Sequence, residues 1–145
     1  MITSFATRQA PHLLSLLRIV SALLFMAHGT QKILGFPASS MNPELLSLTG
    51  VAGLLELFGG ALLVIGLFTR PAAFLLSGQM AFAYFLAHAP KSFFPALNGG
   101  DAAILFCFVF LYLTAAGPGP WSVDARWGSR RNPPGSEPSD TGHAA

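Results

Sequence analysis

The chain has 145 residues, of which 52% are hydrophobic and only 10% charged, and its net charge is +2. The surface of a fully solvated domain needs about a quarter charged residues, so such a globule is excluded, and so small a charge gives no electrostatic footprint for nucleic acid. The lone cysteine, Cys107, excludes an intramolecular disulfide, a CxxC redox pair and a metal centre built on cysteines; one thiol in an apolar run reads as a small buried hydrophobe.

Four apolar runs follow in order, each close to the ~20 residues that span ~30 Å of hydrocarbon. After an N-terminal segment, residues 1–12, the first run covers Leu13–Leu34 and is closed by Gly35-Phe36-Pro37. It does not read as a cleaved signal peptide, because Arg18 interrupts the apolar stretch and no small-residue cleavage motif follows before Lys32. The second run covers Leu45–Phe68. Thr69-Arg70-Pro71 then makes a tight turn, and Pro71, whose missing N–H costs nothing in a first turn, opens the third run, Pro71–Ala89. Ala89-Pro90 ends it. Asn98-Gly99-Gly100 leads into the fourth run, Asp101–Ala116, which places Asp101 at the positive end of the helix dipole. Gly117-Pro118-Gly119-Pro120 stops that helix, residues 118–127 form a post-helix segment, and the tail 128–145, rich in Pro, Ser and charge, is expected to be disordered.

The expected fold is therefore all-α, an integral membrane four-helix bundle over residues 13–117. Arg8, Arg70, Arg126, Arg130 and Arg131 would lie on one side and only Lys32 and Lys91 on the other. Lys and Arg accumulate on the cytoplasmic side, so both termini are predicted to be cytoplasmic.

Ionisable residues inside a membrane are costly and mark functional sites by default. Arg18 lies within the first run and Glu56 near the middle of the second. At ~1.5 Å per residue the two differ in depth by about 10 Å, so a direct pair would be strained, and Arg18 snorkelling toward the cytoplasm is the alternative. His28 and Lys32, four apart, share one helix face toward the outer end. The third run adds Gln79 at mid-depth and His88 near the outer end; the fourth adds Asp101. Without water these groups must find one another or line a hydrated cavity. The expectation is one polar pocket, open to the outside, formed by Arg18, His28, Lys32, Glu56, Gln79, His88 and Asp101. Gly53 and Gly60 share a stripe with Glu56, Gly59 lies beside it, and such small residues let helices approach closely.

Plainer roles are also open. Arg18 and Glu56 as fixers of helix register, Lys32 and Lys91 as interfacial anchors, and His28 with His88 as axial haem ligands are the alternatives. Outside that haem reading no metal site is expected. The Phe-rich fourth run (Leu105-Phe106-Cys107-Phe108-Val109-Phe110) reads as lipid-facing bulk or the wall of a quinone groove. No HExxH, Ser-His-Asp or phosphate-loop pattern is present.

Read together, Arg18 with Ala27-His28-Gly29-Thr30-Gln31-Lys32-Ile33-Leu34-Gly35-Phe36, then Glu56-Leu57-Phe58-Gly59-Gly60 running on to Gly66-Leu67-Phe68-Thr69-Arg70, then Asn98-Gly99-Gly100-Asp101, Leu111-Tyr112-Leu113 and Gly117-Pro118-Gly119-Pro120-Trp121-Ser122-Val123-Asp124 make a chain that resembles the DoxX family of bacterial membrane proteins. The matches run in order from Arg18 to Asp124. After the Gly-Phe that closes the first run, this chain has Pro37-Ala38-Ser39 where the family often has more glycine. The resemblance implies four helices in the inner membrane and, by analogy with relatives described as subunits of a thiosulfate:quinone oxidoreductase or as quinol-oxidase-associated subunits, a membrane subunit in quinone-linked redox chemistry. On that reading quinone is the ligand, and the partners are the bilayer, a redox subunit and a second copy of the chain. A non-enzymatic assembly factor and a proton-coupled carrier of small solutes are the alternatives. Whether the chain is an enzyme is left open.

Overall fold

The computed structural model describes residues 2–38 and 43–131. Among these the chain is all-α, with no strand. Helix α1 runs Ile2–Leu34, α2 Leu48–Ile65 and α3 Thr69–Ala83, which continues as a π-helical turn, Tyr84–His88. A single-turn α4, Pro95–Asn98, precedes α5, Asp101–Ala116, and α6 covers Val123–Arg131.

Two helices, Phe5–Leu34 within α1 and α2, are long and apolar enough to cross a membrane. Helix α1 has 33 residues and so measures about 50 Å; it begins well before Leu13, and the N-terminal segment is its first turns rather than a separate element. Helix α5 has the bounds expected. Helix α6 is a departure, since residues 128–131 of the tail expected to be disordered are helical; from residue 132 on, that tail lies outside the described residues.

Helix α1 packs most extensively on α2, and α3 on α5, while α2 and α3 meet over a smaller area. The close α1–α2 approach rests on absent side chains. A Cβ on Gly29 would sit 2.5 Å from the Leu57 backbone nitrogen, one on Gly53 2.9 Å from the Lys32 Cβ, and one on Gly60 2.9 Å from the Met26 Cβ. Gly59 faces the other way, with Leu76 of α3 2.8 Å from where its Cβ would be. The expected packing glycines thus serve two interfaces, and Gly29 joins them.

The core is small. Phe25 of α1 stands edge-on to Phe110 and Phe106 of α5, with ring centroids 4.9 and 5.3 Å apart, beside Leu63, Leu76 and Leu113. The fourth run is therefore not uniform bulk: Phe110 is buried and Phe106 half-buried, while Leu105 and Phe108 face out. Phe58, Phe74, Phe82, Phe85, Leu105 and Phe108 each leave more than half their surface uncovered. A water-soluble monomer rarely carries so much apolar surface; lipid covers it at no cost.

Candidate functional site

Ionisable and polar side chains gather at two opposite ends of the helical body, named here for Arg18 and Lys32.

At the Arg18 end, α2 finishes on Gly66, whose φ of 69° places it in the left-handed region that glycine adopts freely. The Leu67 N–H bonds the Leu62 carbonyl at 3.0 Å and the Gly66 N–H bonds that of Leu63 at 3.2 Å, a Schellman ending. Helix ends still leave carbonyls without intrahelical partners. Arg18 supplies donors: one terminal nitrogen bonds the Leu63 and Val64 carbonyls (2.8 Å for Val64), Nε bonds Pro118 O at 2.8 Å, and the other terminal nitrogen bonds Trp121 O at 2.5 Å. Four carbonyls from two segments thus converge on one fully buried guanidinium.

Two further charges complete the pattern. Asp124 accepts from the Phe68 and Thr69 backbone N–H groups at 2.9 and 2.8 Å, capping α3, whose N-cap Phe68 has a φ of 49° and offers no side-chain cap. Arg70 donates to the Thr114 and Ala115 carbonyls at the end of α5, at 2.7 and 2.6 Å. Cations sit at the C-terminal ends of α2 and α5 and an anion at the N-terminus of α3, each sign matching the helix macrodipole. This end is an architectural clasp. Arg18 belongs to it and does not join the expected pocket, nor does it pair with Glu56.

At the Lys32 end, Glu56 is 2% exposed. Its Oε1 lies 2.6 Å from the Lys32 Nζ, and its Oε2 is buried with no hydrogen-bond partner. The pairing follows from the glycines: Gly53 and Gly60, a turn to either side of Glu56, abut Lys32 and Met26, so that face of α2 is pressed onto α1.

Lys32 also lines a groove of about 910 Å³ between α2 and α3. Its other polar residues are Thr49, Ser77, Gln79, His88 and Cys107; the rest of the wall is apolar, including Leu55, Phe74, Leu75 and Phe82. A second, apolar cleft of about 400 Å³, with Phe58, Leu62, Ala72 and Leu76, shares Val51, Leu55 and Leu75 with the groove. The two adjoin as one trough, with polar side chains in the lining of the larger part and none in that of the smaller.

Of the residues expected to converge, Lys32, Gln79 and His88 share the groove, and Glu56 is tied to it through Lys32. His28 is exposed, its ring edge-on to Phe106 at 6.0 Å, and Asp101 is exposed in the first turn of α5; neither lines the groove. His28 thus stands outside the groove, whereas His88 lines it with its Nδ1 3.1 Å from the Asn98 carbonyl oxygen. Ser77, Thr49, Asn98 and the groove-lining role of Cys107 were not legible. The nearest signal for Asn98 is the Asn98-Gly99-Gly100 turn, which fixes His88.

The DoxX family profile matches residues 13–89. A Haemophilus influenzae protein described as uncharacterized is 44% identical over 127 residues, covering 81% of this chain and 92% of that relative. No solved structure matches the chain.

Proposed function

Because the chain belongs to the DoxX family, whose members are membrane proteins, we propose that it is a quinone-handling membrane component whose ligand lies in the trough between α2 and α3. The observation that carries this reading is the trough's make-up. Lys32, Gln79 and His88 line the larger groove, and the apolar cleft adjoins it through Val51, Leu55 and Leu75. That order suits an amphiphile with a small oxygen-bearing ring and a long hydrocarbon tail. Phe74, Leu75 and Phe82 on the trough's rim are themselves more than half exposed, so such a ligand would enter sideways from the bilayer. Glu56 would move or balance a proton as the ring changes oxidation state, and a redox partner subunit would exchange the electrons.

The native lone thiol gives the test. Cys107 lines the trough and is half-buried. In native membranes, a fully substituted benzoquinone with a decyl tail should slow alkylation of Cys107 by N-ethylmaleimide several-fold; an unchanged rate at saturating quinone would sink the proposal.

The same reading includes four spans in a bacterial inner membrane. Besides α1 and α2, Thr69–His88 measures about 30 Å and α5 about 24 Å, and Arg8, Arg70 and Arg126 would put both termini in the cytoplasm. A fluorescent protein fused after Ala145 should mature and fluoresce, whereas a periplasm-dependent phosphatase there should be inactive. The reverse pattern would exclude this orientation.

A further inference from the structure

We propose that the groove selects a ligand bearing hydrogen-bond donors, the hydroxyls of a hydroquinone, over the oxidised quinone, which has none; the inference rests on the groove being a quinone site. Two side chains on the α3 side carry it. Gln79 donates its amide nitrogen to the Ala52 carbonyl at 3.1 Å. A carbonyl oxygen only accepts, so the amide cannot be turned round, and its Oε1 is committed to another direction. That Oε1 is buried and has no partner.

His88 is held in the same way. Its Nδ1 lies 3.1 Å from the Asn98 carbonyl oxygen, so in the neutral ring Nδ1 carries the proton and Nε2 is left as a lone-pair acceptor. Asn98 is itself pinned: it is buried, its Nδ2 donates to Ser92 O at 2.8 Å, and its Oδ1 accepts from the Gly100 N–H at 2.7 Å. Gly100 in turn has no room for a Cβ, which would fall 2.6 Å from the Tyr84 ring. The π-helical turn contributes too, since Ala89 N–H bonds Tyr84 O at 2.9 Å, one residue further back than an α-helix would reach. His88 closes this turn, in keeping with the frequent placement of π-bulges at functional sites.

Gln79 and His88 both line the groove, and in each the group left over is an acceptor. A quinone ring offers two carbonyl acceptors and would leave the Gln79 Oε1 unpaired. A hydroquinone offers two O–H donors. Each hydroxyl oxygen also accepts, so Lys32, with one of its three N–H donors on Glu56, can serve that same hydroxyl. Ser77 supplies no rival donor, because its hydroxyl is given to the Cys107 carbonyl at 2.8 Å.

The test compares three probes of one shape on the purified full-length protein by anaerobic equilibrium dialysis: a decyl benzohydroquinone, its quinone and its dimethyl ether. The hydroquinone should bind at least about ten-fold more tightly than either of the others, because a site built around a hydroxyl rejects analogues that leave its polar groups unpaired. Gln79→Leu should remove most of that preference. Equal or tighter binding of the quinone or the dimethyl ether would overturn this inference and keep the quinone site. No binding of any probe would overturn the site as well. These comparisons on the wild-type chain do not depend on any variant folding.

Discussion

Arg18→Ala should destabilise the protein by on the order of 3–5 kcal/mol, the largest effect of any single substitution at the Arg18 end. The guanidinium is fully buried and feeds four carbonyls. Truncation leaves those oxygens without donors where little water can replace them, and it opens a void between α1, α2 and the loop at Pro118. Stability of a whole domain is only about 5–15 kcal/mol, so the variant should unfold well below the wild type when the detergent-purified proteins are heated. Arg18→Lys should recover only part of the loss. A compact ammonium has three donors and cannot copy the planar fork that reaches two segments at once. An Arg18→Ala protein with the wild-type unfolding temperature would show that the clasp is dispensable. The four bonds bridge residues 45 to 103 positions away from Arg18 in the chain, so the loss should also free the post-helix segment to proteolysis around Trp121.

Glu56→Ala should have an effect of similar size and bears on function. Removing the carboxylate leaves the Lys32 ammonium, 18% exposed at its side chain, beside a cavity, and breaking one partner of a buried pair costs about 3–5 kcal/mol. Glu56→Gln keeps the volume and an acceptor for Lys32, so it should retain most of the stability and still bind quinone, while proton-linked turnover is lost. The double variant Lys32→Met/Glu56→Leu should be more stable than either Lys32→Met or Glu56→Ala alone, because no buried charge is left unpaired. Thermal unfolding of the set reads the structural half, and redox turnover of added hydroquinone in membranes reads the other. Glu56→Gln with full turnover would confine Glu56 to a structural role.

On the proposed reading, turnover needs an electron-exchanging partner, so the membranes should come from the native cells. The stability comparisons need only the purified chain. The two sets therefore separate a failed clasp or ion pair from a failed redox assignment.

Apolar run length, breakers and caps can be read along the chain, which is why the bounds of α5 and the glycine stripe of α2 were legible, and why Lys32, Glu56, Gln79 and His88 could be picked out as costly groups in an apolar setting. The matches from Arg18 to Asp124 likewise point to the family from the sequence alone. Depth along a helix is a one-dimensional quantity, however, and counting residues set Arg18 about 10 Å from Glu56 without identifying the partner of either. The choice of Lys32 over Arg18 was decided by rotation of α2 against α1, which Gly29, Gly53 and Gly60 set by letting the backbones touch. The partner of Arg18 was hidden for a related reason. Its acceptors are backbone carbonyls, which every residue has, and only the return of the chain at Gly117–Trp121 brings them to it. The same holds for the trough, since a cavity is the space left by two packed helices, and no run of residues encodes it until their faces and spacing are set.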